Sequence, residues 1–247
     1  MTIAIITGGS RGLGRSTAMQ CAARGIGVIL TYNSHPKGAD GAVRTIQSGG
    51  GEAVALKLDV ADTGSFPAFR EAVAAALAAT WDRDSFDHLV NNAGYGAFNP
   101  ITSVTEAEFD GLFAVHLKGP FFLTQALLPL MADGGSIVNL TSATTRVATA
   151  GVAPYAAFKG GLEVLTRYMA KEFGERRIRA NAVSPGAIRT DLGGGLNDEF
   201  ERLLAGQTAL GRVGEPDDIG RVIASLLSDD SAWINAQTIE VAGGYVI

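Results

Sequence analysis

Ser142, Tyr155 and Lys159 are the residues whose types and spacing could do chemistry. A hydroxyl, a phenol and an ammonium brought together can pass a proton. Tyr155 and Lys159 stand four positions apart, which on a helix places them on one side. Ser142 precedes Tyr155 by thirteen residues and follows a short apolar run, within Gly135 to Thr141, that reads as a strand. A solvent-facing Tyr and Lys on an ordinary helix is the plain alternative for this pair alone. Its weight therefore depends on what the rest of the chain builds beside it.

The elements that must position these groups alternate strand and helix from the first residues on. Thr2 to Ile6 is a β-branched run, followed by Thr7-Gly8-Gly9-Ser10-Arg11-Gly12-Leu13-Gly14 and an apolar-periodic helix ending near Arg24-Gly25. Glycines in such a turn let the backbone approach a pyrophosphate, while the free N–H groups and dipole of the following helix favour its charge. Further strands are expected at Val28–Tyr32, Glu52–Leu58, Phe86–Val90, Gly135–Thr141, Arg179–Val183 and Thr238–Val241. Helices are expected over Ser65–Thr80 and Glu106–Met131, around Tyr155, and from Glu215-Pro216 onward. The pattern implies one α/β domain over residues 1–247.

The second strand ends in Thr31-Tyr32-Asn33-Ser34, without the acidic residue that binds a ribose 2′-hydroxyl. Arg11, Asn33, Ser34 and Lys37 offer groups suited to a 2′-phosphate, so NADP(H) is expected over NAD(H).

With 20 basic against 25 acidic residues and a net charge of −5, the chain has no basic field for nucleic acid to follow. Cys21, the lone cysteine, falls in the apolar pattern of the first helix and reads as packing; it has no partner for an internal disulfide, as expected of a reducing compartment. No apolar run approaches the ~18 residues of a membrane span and no charged leader precedes the first strand, so a soluble, cytoplasmic protein is expected. No metal-ligating set is assigned.

At several ordered places the chain resembles the short-chain dehydrogenase/reductase family: Thr7-Gly8-x-x-x-Gly12-x-Gly14, Asp59-Val60, Asn91-Asn92-Ala93-Gly94, Ser142 with Tyr155-x-x-x-Lys159, and Pro185-Gly186 with Thr190. That resemblance implies a doubly wound, Rossmann-type, seven-stranded parallel sheet with helices on both faces and the nucleotide at the strands' carboxyl ends, and hydride transfer between a nicotinamide cofactor and a carbonyl or alcohol. In this reading Tyr155 exchanges the proton and Ser142 bonds the substrate oxygen. Lys159 holds the nicotinamide ribose and favours the phenolate form of Tyr155. The implied cofactor contacts are Gly8, Ser10, Arg11, Gly12, Leu13, Gly14, Asn33, Ser34, Asp59, Val60, Asn91, Ala93, Gly94, Pro185, Gly186, Ile188 and Thr190, besides Tyr155 and Lys159 themselves. Fold analogy suggests Tyr95, Thr144, Arg146, Val152 and Leu192 as pocket walls, with residues 191–209 as a substrate lid hinged on Gly193-Gly194-Gly195.

One departure stands out. Val115-His116-Leu117-Lys118-Gly119 carries a histidine where the family reads asparagine, a fourth catalytic member whose backbone carbonyl holds a relay water. A backbone carbonyl survives any substitution, so His116 reads either as a structural, hydrogen-bonded group or as an altered proton relay. A protonated His116 close to Lys159 would add like charge. The resemblance also implies a homotetramer or homodimer built on the helices near Phe113 and Leu162. Readings kept beside the NADP(H)-linked reductase of a ketone or 3-oxoacyl substrate are an NAD-linked alcohol or sugar dehydrogenase, a nucleotide-binding protein without turnover, and a Rossmann module with an empty turn. Enoyl reduction is disfavoured, because that branch of the family spaces its Tyr and Lys more widely.

Overall fold

The computed structural model describes residues 1–247. Seven strands form one sheet in the order β3-β2-β1-β4-β5-β6-β7, every neighbouring pair parallel. The strands are β1 (Ile3–Ile6), β2 (Gly27–Tyr32), β3 (Ala53–Lys57), β4 (Phe86–Asn91), β5 (Met131–Leu140), β6 (Arg179–Pro185) and β7 (Thr238–Val241). The order reverses between β1 and β4, and in such sheets the crevice at that switch point is where a nucleotide binds.

Side chains of a strand alternate between faces, and both faces here are covered by helices. Ala4 and Ile6 of β1 pack into a cluster with Ala18, Cys21, Ala42, Ile219 and Ile223, carried by α1 (Gly12–Ala22), α2 (Pro36–Ser48) and α8 (Pro216–Leu226). Ile3 and Ile5 pack the other way against Phe69, Val73, Leu77, Leu123 and Met169, from α3 (Phe66–Trp81), α5 (Gly119–Leu127) and α6 (Ala153–Glu172). Cys21 is buried in the first cluster, and burial pushes its thiol up to about 12, which makes it a packing residue. No helix among the described residues is long and apolar enough to cross a membrane.

Two elements differ from the sequence expectation. The helix expected over Glu106–Met131 is broken into α4 (Glu106–Phe113), a π-turn at Ala114–Lys118, α5, and a single 3-10 turn at Leu128–Leu130, after which Met131 already begins β5. Pro120 lacks the N–H that an α-helix would aim at the His116 carbonyl, and Pro129 closes the helical stretch, so continuity is lost where proline withholds a donor. β5 starts earlier than expected because its first turn of chain bulges. Phe86 pairs with Met131 and His88 with Ser136, leaving extra residues on β5 between the two pairs.

Candidate active site

Thr7 leaves β1 and anchors the turn that follows. Its hydroxyl accepts from the amides of Asn92 and Ala93, both at 2.9 Å, while Asn92 Nδ2 donates to the Thr7 carbonyl at 2.7 Å. The exits of β1 and β4 are thereby stapled across the switch point. Gly8 adopts a left-handed φ of +67°, and a Cβ on Gly14 would lie 2.4 Å from the Gly8 carbonyl oxygen. The fingerprint glycines thus bring the start of α1 against the turn, leaving its amide groups facing a cleft of about 390 Å³.

That cleft collects nearly every expected cofactor residue: Gly8, Ser10, Arg11, Gly12, Leu13 and Gly14 from the turn, Asn33 and Ser34 after β2, Asp59 and Val60 after β3, Ala93 and Gly94 after β4, and Pro185, Gly186, Ile188 and Thr190 after β6. Ser142, His116, Tyr155, Lys159, Tyr95 and Leu192 line it as well. Its shape and donor set fit a dinucleotide, since glycine turn, switch point and polar walls converge on one groove.

Four expected residues lie elsewhere. Asn91 points into the core, where its Nδ2 donates to Asn139 Oδ1 at 2.8 Å and approaches Thr124 Oγ1 at 3.3 Å. Strand parity puts it on the Leu89 side of β4, and Asn92 takes its place in the cleft. Arg146 is exposed and bound to Glu240 at 2.5 and 3.0 Å and to the carbonyls of Tyr245 and Val246, so its guanidinium pins the C-terminal chain and does not meet a substrate. Val152 is buried beneath the start of α6 and is not among the cleft walls. Thr144 acts through Ser142, its amide and hydroxyl donating to Ser142 Oγ at 3.2 and 3.0 Å. Those bonds occupy acceptor sites of the serine and leave its own O–H to donate toward Tyr155.

The structure adds His35, Leu58, Thr141 and Asp191 to the cleft walls. His35 lies against Gly38, where a Cβ would come within 2.2 Å of its Cδ2 and 2.7 Å of the Ser10 carbonyl. Its signal was positional: it follows Ser34 at the β2 exit and immediately precedes Pro36, the first residue of α2. Lys37 does not line the cleft.

Tyr155 sits in the first turn of α6 and Lys159 one turn on. Lys159 is only 4% exposed, its Nζ donates to the Leu140 carbonyl at 2.6 Å, and it lies 5.7 Å from the centre of the Tyr155 ring. Burial lowers its pKa to about 7. Tyr155 shifts opposite to the expected phenolate: burial raises its pKa and outweighs a hydrogen bond from Ser142 that lowers it. In the free protein the phenol keeps its proton.

His116 is buried at 2% exposure, its Nε2 2.8 Å from the Tyr95 carbonyl and its ring edge-on to Tyr155, centroids 4.9 Å apart. Burial, then the nearby Lys159 charge, push its pKa down to about 3 against the weaker effect of that hydrogen bond. It is neutral at neutral pH, so the like-charge clash with Lys159 does not arise.

A second recess continues from the cleft, lined by Arg11, Gly94, Tyr95, Gly96, Phe98, Asp191, Leu192 and Gly194. Behind Leu192, Arg189 is paired with Glu201 on α7 (Asp198–Gly206) and with Glu215 before α8 at 2.9 Å.

A doubly wound sheet with a dinucleotide groove and a tyrosine–lysine pair lining it defines a nicotinamide-linked oxidoreductase scaffold. A family model described as enoyl-(acyl carrier protein) reductase matches residues 8–246, and the chain belongs to the short-chain dehydrogenase/reductase family. It is 37% identical over 243 residues to the 3-oxoacyl-[acyl-carrier-protein] reductase FabG of Staphylococcus aureus, covering 98% of this chain and 96% of that one. A hydroxynaphthalene reductase-like protein Arp2 of Metarhizium brunneum is 34% identical over 264 residues, covering 99% and 94% of the two chains. Among solved structures, the angucycline C-6 ketoreductase LanV with bound NADP superposes with a TM-score of 0.95 at 33% identity, covering 99% of this chain and 95% of that one.

Proposed function

We propose that the protein is an NADP(H)-dependent carbonyl reductase whose substrate is a bulky, largely apolar ketone. The observation that carries the reading is the convergence of Ser142, Tyr155 and Lys159 on the wall of the dinucleotide cleft. NADPH, when bound, supplies the hydride. Tyr155 delivers the proton to the developing alkoxide, and its raised pKa suits it to start as a donor. Ser142, held by Thr144, turns its O–H from Tyr155 to the same oxygen and stabilises charge there. Lys159 brings positive charge beside the phenol, which eases loss of its proton as the alcohol forms.

Two features support NADP(H). No carboxylate stands at the β2 exit, and Arg11, which forms no ion pair among the described residues, lines the cleft with Asn33, Ser34 and His35. The NADP in the LanV structure agrees with this. For the substrate, Tyr95, Phe98 and Leu192 wall the recess beside the cleft, and Phe98 is 63% exposed. Unpartnered apolar side chains at a site mouth suit a bulky apolar molecule. The ketoreductase and naphthalene-reductase names among the relatives support carbonyl over enoyl reduction, as does the Tyr-x-x-x-Lys spacing. Residues 191–209, with α7 tied back through Arg189, act as the lid over this recess. The cytoplasm and a homo-oligomer remain the expected setting, the latter supported by exposed Phe113, Phe121 and Phe122; Leu162 is buried within the chain and is not available to an interface.

NADPH consumption over ketones, quinones, sugars and 3-oxoacyl thioesters tests the proposal. Turnover is expected to be highest with ring ketones or quinones, and Arg11→Ala is expected to weaken NADPH binding about tenfold more than NADH binding. NADH-linked alcohol oxidation without NADPH turnover on any carbonyl would favour the NAD-linked dehydrogenase instead.

A further inference from the structure

His116 is more than a tolerated replacement. A carbonyl oxygen only accepts, so the bond to Tyr95 requires the hydrogen on Nε2, and neutrality then leaves Nδ1 as a bare lone pair. That atom is buried and has no hydrogen-bond partner in the protein. It faces the glycine of the β4 exit: a Cβ on Gly94 would come within 2.8 Å of His116 Cε1 and 3.4 Å of Nδ1. The same ring stands between two tyrosines, tilted against Tyr95 at 5.6 Å and edge-on to Tyr155 at 4.9 Å. Its place is the π-turn at Ala114–Lys118, a local widening between α4 and α5. The titratable groups around it are Tyr95 from the loop after β4 and Tyr155 and Lys159 from α6.

We propose that His116 is a positioning residue: through Nε2–H it holds the Tyr95–Gly96 peptide, and so the substrate wall carried by Tyr95, in register with Tyr155, while Nδ1 stays an acceptor at the cleft. The inference rests on the carbonyl-reductase reading for its kinetic part only. Losing one such bond between neutral groups corresponds to roughly a tenfold effect. His116→Leu keeps bulk and burial but removes both nitrogens, and it is expected to raise KM for the ketone about tenfold with a smaller fall in kcat. His116→Asn returns a donor and an acceptor and is expected to bring KM back to within about threefold of the parent. Equal KM values for the parent and the leucine variant overturn the proposal, as does failure of asparagine to restore what leucine loses while both variants bind NADPH.

A readout independent of turnover accompanies this. In nitrogen-15 spectra of the full-length protein, the His116 ring, assigned by its loss in His116→Asn, is expected to stay neutral with hydrogen on Nε2 from pH 8 to pH 5. An imidazolium at pH 6, or hydrogen on Nδ1, overturns the proposal. If the parent reduces no carbonyl yet the ring shows the expected tautomer, it is the functional reading that fails and not the placement of His116.

Discussion

At the amino ends of the strands the charged groups Asp87, Arg83 and Arg179 are paired within the protein, whereas at the carboxyl ends several polar groups are held in reserve. Asp87 accepts from the Ile3 amide at 2.7 Å and meets Arg83 at 3.3 Å, while Arg83 also reaches the Met1 carbonyl at 2.8 Å. Arg179 donates to the carbonyls of Leu226 and Ile234, and Asn235 caps the Ala180 amide. Opposite, Lys159 has one protein partner, Ser142 directs its hydroxyl at the catalytic-site phenol of Tyr155, and Arg11 forms no ion pair among the described residues. Each end also buries a histidine without a partner for Nδ1, His88 at one and His116 at the other. The difference teaches where the chain uses polarity to fix its fold and where it leaves polarity for something that arrives later.

The sharpest test of that division is Tyr155→Phe. A positioned general acid contributes about 10²–10⁴-fold, so ketone reduction should fall by roughly a thousandfold at unchanged Tm. A similar turnover number for this variant would remove the carboxyl-end reading altogether. Asp87→Ala should do the reverse. It leaves the Ile3 amide and Arg83 without their partner, so chemical denaturation should show a loss of about 1–3 kcal/mol with kcat/KM preserved in the folded population. Should Asp87→Ala alter turnover as much as stability, the two ends would not be separable.

The same division explains how much of the molecule could be read from its residues. The sheet, its strand count and the glycine turn were legible because parallel strands buried on both faces leave long apolar runs, and because a close approach such as Gly14 against Gly8 admits no other residue. Ser142, Tyr155 and Lys159 were legible by spacing. Asn91 was misplaced although β4 parity pointed it at the core, and the Glu106 helix ran too long although Pro120 and Pro129 marked its breaks. Arg146 was beyond reach, because its partner Glu240 is 94 positions away and only the fold brings them together. The direction of the Tyr155 shift was likewise hidden, since burial is a tertiary property that outweighed the charge argument.

The smallest expected effect at neutral pH concerns His88, the amino-end counterpart of His116. It lies in a row across the sheet with Ala4, Ser136 and Arg179, and Ser136 Oγ beside it also lacks a partner. Burial lowers its pKa from 6.5 to about 4, with Asp87 and Asp229 opposing and Arg179 adding to the shift. As pH falls below 6.5 the unfolded chain takes up this proton first, so folding stability drops across the window from 6.5 to 4 and is fully present above it. A shift of this size corresponds to at most a few kcal/mol. His88→Gln, which does not titrate, should flatten the fall in urea midpoint between pH 7 and pH 4.5 without altering catalysis at either value. His116→Asn, by contrast, is expected to move KM at pH 7 less than leucine does, and to flatten the same stability window because it too removes a buried neutral imidazole. Equal slopes for the parent and His88→Gln would show that the amino end tolerates the charged ring, and with it that the two histidines differ in more than the company they keep.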